Sequence, residues 1–451
     1  MRVIVTIALA FITAMSHAAL APFSDLPKDG EVRLFTIHGS NTIGAELGPK
    51  LIKEYLAQKG ATDIVITDTN VENEQVISGV VAETGTRVFV DVAAHGSGTG
   101  FKGLLSGDSQ IAAASRPIKA KEAAMLSNMA EMTSRAAEHI VGIDGLAVIV
   151  NGDNPIDELS VDEIAEIFSG GYTDWSQVGG RPGPINVYAR DENSGTWDSF
   201  KGMVLGKSPL KAGTQRFESN NALSDTVAAD QNGIGFVGLS SVRDSKLLAV
   251  SDGSAKAMKP NKLTVATEDY ALSRRLYMYT DDDNLSPYVA EFMGFVQHNE
   301  GQRVVAEVGF ISQELKAVVP ETYAELPEDF RKITNDSKRL TINFRFREGS
   351  AQLDNKAMKD IERLVEYLQA HDSQGKDVVL IGFGDKKKTE KRSQLLSKLR
   401  AMAVRRELVR AGIYPKQSVG YGDYLPVASA DREEGRHKNR RVEVWVNEDN
   451  S

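Results

Sequence analysis

The chain has 451 residues, 25% of them charged, a net charge of -9 and no cysteine. Disulfides, a lipid-bearing cysteine and thiolate metal sites are excluded, and the length allows two or three domains, each with its own core. The charge is divided, -17 before Arg331 and +8 from there on, which argues against a nucleic-acid partner and for two modules with different tasks.

Residues 1–21 read as a secretory signal: Arg2 is the basic start, 3–15 the apolar core, and Ser16-His17-Ala18 or Ala19-Leu20-Ala21 the cleavage site. That core is too short to span a membrane comfortably, and no later stretch is longer. Residues 33–37 alternate as a strand into Gly39-Ser40-Asn41-Thr42. Ile43, Leu47, Leu51, Tyr55 and Leu56 then follow at helical spacing, with Pro49 required to kink or break the helix. Residues 62–87 are less regular and read as an elaboration. A strand at 88–92 leads into Gly96-Ser97-Gly98-Thr99-Gly100 and a short helix. Another, at 111–114, ends in the polar turn Ser115-Arg116-Pro117. The apolar run 145–150 suits a strand buried on both faces. Ser160-Val161-Asp162-Glu163 opens a helix with a capping box. A strand at 185–189 runs into Arg190-Asp191-Glu192-Asn193-Ser194-Gly195-Thr196, followed by Trp197, Phe200 and Met203 on a helix, and 288–295 and 302–308 are helical. Strand and helix alternate throughout, as in an α/β fold.

Three small-hydroxyl turns thus each end a strand and open a helix. A helix start leaves backbone N–H groups unpaired and favours an anion, and hydroxyls add further donors. Arg190 brings a permanent planar cation to one of them. Ordinary capping explains each turn singly; the repetition points to an oxyanion site at the carboxyl ends of the strands. No metal-spaced His or Cys cluster is present. His95 is the nearest base to a Ser97 nucleophile, with glycines on both sides of that serine leaving their relative direction open.

The ordered set Gly39 to Thr42, Gly96 to Gly100, Ala114-Ser115-Arg116-Pro117, 146–150, 164–175 and Arg190 to Thr196 resembles the PstS-type phosphate-binding proteins. The resemblance implies a two-lobed α/β periplasmic-binding-protein clamp, type II-like, over 22–319. It further implies that Ser40, Asn41, Thr42, Ser97 and Ser115 line one lobe's side, with Arg190, Asn193, Ser194, Gly195 and Thr196 on the other. Arg116 is either a further ligand or a salt-bridged rim residue. Ser115 stands where many such receptors place an aspartate that accepts the ligand's proton. Asp191 or Glu192 could substitute, so the anion class is better defined than the anion.

Residues 320–338, rich in charge and turn formers, read as a linker. Beyond them, over 339–451, a strand at 340–346, a helix bearing Leu353, Ala357, Ile361, Leu364 and Leu368, and a strand at 378–381 come first. A helix bearing Leu395, Leu396, Leu399, Met402 and Ala403 and a last strand at 442–446 then complete a small α+β, βαβαββ unit. Gly382-Phe383-Gly384-Asp385, Leu396 to Ala401, Gly420-Tyr421-Gly422 and Asn439-Arg440-Arg441 resemble the OmpA-like peptidoglycan-binding domain. The resemblance implies that Asp385 and Arg400 hold the amine and carboxylate of the peptide stem's diamino acid, with Ser393 and Arg440 in the same site. Ser393 replaces the family's usual asparagine, and Phe383-Gly384 its usual His-Thr. Lys386-Lys387-Lys388 is a solvated loop or an attractor of acidic wall polymer.

The expectation for the whole chain is a periplasmic receptor for phosphate or a related oxyanion, without catalysis, cofactor or metal. The C-terminal domain would hold it to peptidoglycan in a Gram-negative envelope, and an inner-membrane ABC transporter is a further partner. The alternatives are an exported phosphate-ester hydrolase, a wall-held anion sensor without a transporter, and a structural envelope protein.

Overall fold

The computed structural model describes residues 20–447 apart from 193, 321–326, 348–349, 351, 372–374 and 376. The signal segment expected at 1–21 lies almost wholly outside the described residues, as does Asn193.

One eleven-stranded sheet runs through both lobes of the front part. The first lobe orders its strands Ala61–Asp68, Glu74–Val81, Thr86–Ala93, Glu31–Gly39, Ile111–Ala114, Ser273–Thr280 and Glu138–Val150. The second continues through Gly233–Gly238, Asn186–Arg190 and Gln215–Phe217, and the eleventh strand, Lys246–Leu247, pairs with the end of Glu138–Val150. Glu138–Val150 belongs to both. Up to Gly145 it pairs with Ser273–Thr280, and from Leu146 it pairs with Gly233–Gly238. The chain therefore crosses between lobes at Asp144-Gly145 and returns at Ser273-Arg274, and these two adjacent strands are the hinge. The apolar run anticipated for 145–150 is fully buried, as a strand covered on both faces requires.

The alternation of elements follows the sequence pattern, with two local differences. The helix around Pro49 is broken at Ala45-Glu46 and restarts as Leu47–Gln58, so the proline sits in a first turn, where no N–H is missed. Residues 62–87, expected to be irregular, hold an antiparallel pair of strands at the sheet edge. Val65, Ile66 and Val71 are exposed there, so burial does not impose strict alternation. Aromatic packing fixes both lobes: Phe35, Tyr55 and Phe292 fill the first, and Phe200 stacks on Phe236 at 3.9 Å in the second.

The C-terminal module has a five-stranded sheet ordered Ala317–Val318, Lys338–Arg345, Arg441–Val446, Val378–Gly382, Gln417–Gly420. Its first strand comes from the end of the front part, ahead of the expected linker. The described part of that linker is also structured: helix Glu328–Thr334 buries Phe330 against Phe383, Tyr421 and Trp445. Helices Asn355–Ala370 and Glu390–Arg410 cover the sheet. The apolar stripe read on the second helix corrects a sequence expectation, because Leu395, Leu399 and Met402 are exposed. The inward face is Ser393, Ser397, Ala401 and Val404. Gly382 and Gly420 lie so close to it that a Cβ on either would overlap the helix backbone at 397–398. Small residues let helix and sheet approach, and larger side chains there would hold them apart. No helix among the described residues is long and apolar enough to cross a membrane.

Candidate functional site

The first two hydroxyl turns meet at the ends of parallel neighbouring strands. Gly39 has φ +139° beside the Ala113 backbone, where a side chain would overlap it, and the amide of Gly96 donates to Gly39 O at 2.7 Å. Ser40 caps the short helix Asn41–Gly44, its Oγ accepting from Thr42 N at 3.2 Å. Ser97 opens helix Ser97–Ser106, and its Oγ accepts from Ser115 N at 3.1 Å. Ser194 caps helix Gly195–Phe200 in the second lobe.

The lobes touch at these helix starts. Thr42 Oγ1 donates to Gly195 O at 3.1 Å, and Gly195 fits only because it lacks a Cβ, which would overlap the Thr42 backbone. A second cross-lobe bond runs from Ser115 Oγ to Asp198 Oδ2 at 3.1 Å. Beside the second contact lies a cavity of about 330 Å³ whose polar lining is Ser97, Ser115, Arg116, Asp198, Arg274 and Arg275, with the backbone at Gly98. It combines hydroxyls, the start of a ten-residue helix, three guanidinium groups and one carboxylate.

Arg274 is its main cation, and sequence reasoning missed it. From the returning hinge strand it donates to Thr42 Oγ1 at 2.7 Å and to Ser199 Oγ, and it faces Asp144 at 3.4 Å and Asp198 at 3.9 Å. Burial pulls its pKa below the ordinary arginine value, and the two acids oppose that pull. Asp198, in the same helix as the Ser-Gly-Thr turn, was missed as well. A signal existed: Arg274-Arg275 and Asp144 interrupt otherwise apolar strands, where an unpaired charge would be costly.

Other anticipated residues lie further back. Arg190 is buried and committed to its own lobe, donating to Phe217 O at 3.0 Å, Glu218 O at 2.5 Å and Thr196 Oγ1 at 3.2 Å. It fastens the 217–218 turn to the helix start rather than lining the cavity. Arg116 makes a bidentate pair with Glu122 at 2.7 and 2.8 Å; burial alone would raise this acid's pKa, but Arg116 and Lys119 hold it below the usual range. Glu192 is exposed and pairs with Arg216 at 3.2 Å, and Asp191 sits 3.9 Å from Arg190. The carboxylate bonded to Ser115 is that of Asp198. His95 pairs with Glu74 at 3.0 Å, while Ser97 is engaged with the Ser115 amide.

In the C-terminal module Asp385 is 5% exposed. Its Oδ2 accepts from Arg440 Nε at 2.6 Å and Lys387 Nζ at 3.3 Å, whereas the buried Oδ1 has no partner among the described residues. Arg440 is held in turn by Glu433 at 2.8 Å. Arg400 donates to Phe383 O at 3.4 Å, and burial draws its pKa down while Asp385 draws it up. Ser393 is buried, accepting from Lys387 N at 2.9 Å and donating to Asp385 O, which shapes the loop carrying Asp385. An acceptor oxygen and an arginine fork thus stand at one site, the arrangement a zwitterion requires.

Residues 57–300 match the PBP superfamily domain, and residues 345–440 match the OmpA family. The chain is 31% identical over 240 residues to the phosphate-binding protein PstS of Staphylococcus saprophyticus, covering 51% of this chain and 73% of that one. It is 33% identical over 262 residues to protein SphX of Synechococcus elongatus, covering 54% and 77%. Among solved structures, a possible phosphate binding protein from Planctomyces limnophilus superimposes with a TM-score of 0.50 at 26% identity, over 62% of this chain and 93% of the other.

Proposed function

Because this chain belongs to the PBP superfamily and carries an OmpA-family domain behind its clamp, we propose that it is a periplasmic phosphate receptor associated with the cell wall. The single observation that carries the ligand assignment is the cavity between the lobes. There Arg274 supplies permanent charge, Ser97 and Ser115 supply hydroxyls, and the backbone at Gly98 supplies helix-start donors. Where the bound anion and the lobes exclude water, each donor is worth more than in solution. Ser40, Asn41, Thr42, Ser194, Gly195 and Thr196 build the two helix starts that meet beside it, and Arg190 braces the second. Asn193, also assigned to that turn, lies outside the described residues.

Asp198 gives the cavity its selectivity in this reading. A carboxylate facing a bound oxyanion is tolerated when the anion brings a proton to donate, as hydrogen phosphate does and sulfate does not. Asp385, on a loop shaped by Ser393, takes with Arg400 and Arg440 the zwitterionic diamino acid of the peptidoglycan stem. Handing phosphate to an inner-membrane ABC transporter in a Gram-negative cell completes the proposal. The hydrolase reading is not favoured, since His95 is occupied by Glu74 rather than directed to a serine.

The deciding experiment is calorimetric titration of inorganic phosphate and of sulfate into protein unfolded, stripped and refolded. Phosphate binding in the parent that falls at least about 30-fold in Arg274→Ala supports the assignment, corresponding to a lost charged hydrogen bond of about 2 kcal/mol. Absence of heat from both anions in folded parent protein refutes it.

A further inference from the structure

The two modules are not beads on a string. A buried ionic network joins them at 267–271, the turn that feeds the returning hinge strand. Arg345 of the C-terminal module is 1% exposed, and its guanidinium donates to Glu268 Oε2 at 2.9 Å, Thr267 O at 2.9 Å and Glu268 O at 3.2 Å. Asn343 donates to Asp269 Oδ1 at 2.8 Å, Arg339 to Asp269 Oδ2 at 2.7 Å, and Lys438 to Ala271 O at 3.2 Å. From the hinge strand itself Arg275 reaches back to Asp354 of the module at 2.8 Å.

Neighbouring residues of a strand point to opposite faces. Arg274 accordingly bonds Thr42 and Ser199 in the cleft, while Arg275, which also borders the cavity, bonds Glu268 and the module's Asp354, so one point of the hinge is gripped from both sides. The module also reaches each lobe separately. On the first lobe Arg363 donates to Gln297 at 2.9 Å and Gln313 at 3.0 Å, Asn355 donates to Glu138 at 3.0 Å, and Glu362 pairs with Arg135. On the second lobe Arg432 pairs with Asp252, and Gly253 packs against Ser429 too closely for a Cβ. Arg135, Glu138, Gln297, Gln313, Asn355 and Arg363 line a cavity of about 320 Å³, so that side is less closely filled than the charges buried at 267–271.

We propose that the C-terminal module is a brace across the back of the hinge that holds the clamp in its closed arrangement and links module seating to anion affinity. Opening rotates one lobe against the other, and a rigid body anchored to both must release one set of contacts. The first-lobe set is the one that yields. Linkage is reciprocal: whatever shifts the module alters anion affinity, and bound anion tightens the seat. The wall site is part of this path. In helix Glu433–Asn439, Glu433 holds Arg440 of that site and Lys438 bonds the clamp, with Arg432 gripping the second lobe at the helix cap.

This proposal rests on the receptor reading only for its affinity arm. The absence of native cysteine allows spin labels to be placed at Lys102→Cys in the first lobe and Lys207→Cys in the second, both exposed, in the full chain. Pulsed EPR is expected to give one narrow inter-lobe distance in the parent, with or without inorganic phosphate. Adding Arg135→Ala with Arg363→Ala should introduce a second, longer distance that phosphate collapses, and phosphate affinity should fall about tenfold, as a closed population of one in ten requires. If that double variant does not fold, the exposed pair is tested through Arg432→Ala, expected to shift both readouts in the same direction. Distance distributions identical in parent and released variants overturn the brace. A parent that binds no phosphate refutes the receptor reading instead and leaves the ligand-free distances to decide this one.

Discussion

Replacing Arg345 with methionine keeps most of the side-chain volume and removes one charge from the interior of the inter-module network. Arg345 donates to Glu268 Oε2, to the carbonyls of Thr267 and Glu268, and to Lys438 O, and it is 1% exposed. Two terms oppose each other. The methionine variant recovers the several kcal/mol spent taking a guanidinium out of water. Against this, the acceptors at 267–268 and 438 lose their donor, at about 1–3 kcal/mol for each group left unpaired. Glu268 retains Arg275 at 3.0 Å, so its charge is not orphaned. Breaking a buried ionic network at one member typically costs about 3–5 kcal/mol, and that is the loss expected here. Urea unfolding of the full chain at neutral pH, followed by tryptophan emission and by protease sensitivity of the junction, measures it. The loss should persist in high salt, because buried pairs are poorly screened. An unchanged or raised midpoint would show that desolvation dominates and that the network contributes geometry without stability.

Asp198→Asn should bring sulfate affinity close to phosphate affinity in calorimetry, because the amide can donate to an unprotonated oxyanion; retained discrimination would remove Asp198 from the selectivity argument. Gly195→Ala forces a methyl group into the Thr42 backbone, so it should lengthen the inter-lobe distance and weaken phosphate binding about tenfold or more, with the fold preserved by circular dichroism. Arg440→Ala takes from buried Asp385 its closest cation and should abolish retention on purified peptidoglycan in protein still folded by circular dichroism; undiminished retention would place the wall site elsewhere. Acid should loosen the seat in two stages. Burial, with Arg345 and Arg275 nearby, lowers the His437 pKa from 6.5 to about 4 despite Asp354 and Glu268, so the folded state resists its protonation. Stability is full above pH 6.5 and falls as pH drops toward 4, by up to about 3 kcal/mol if the whole displacement is expressed. Burial would raise the pKa of Glu268 and Asp354, but the arginines hold both low, so their contribution is lost only below the ordinary carboxylate range. Thermal melting of the parent and His437→Gln across this pH range separates the stages, with the first absent in the variant.

Local structure was legible from the residues alone, because hydrophobic period, capping residues and turn chemistry act over a few neighbours. The Ser40, Ser160 and Ser194 helix starts, the buried strand at 145–150 and the order of elements in the module were legible for that reason. So was the chemistry of the cleft as a class, since hydroxyl turns that open helices favour anions wherever they occur. Which side chains share a space depended on the folded arrangement. Arg274 and Thr42 are 232 positions apart, and Ser115 and Asp198 are 83 apart, separations over which no periodicity carries information. Arg190 is conspicuous in its motif, yet two nearby carbonyls and Thr196 engage its guanidinium. The exposure of Leu395, Leu399 and Met402 was likewise hidden, because two glycines on facing strands made the small-residue side of their helix the better one to bury. The seating of the basic module on the hinge had one trace in the sequence, the opposite charges of its two parts. Complementary charge sets a tendency to associate, whereas a guanidinium donating to three carbonyls and a carboxylate drawn from both parts requires both surfaces to be already folded.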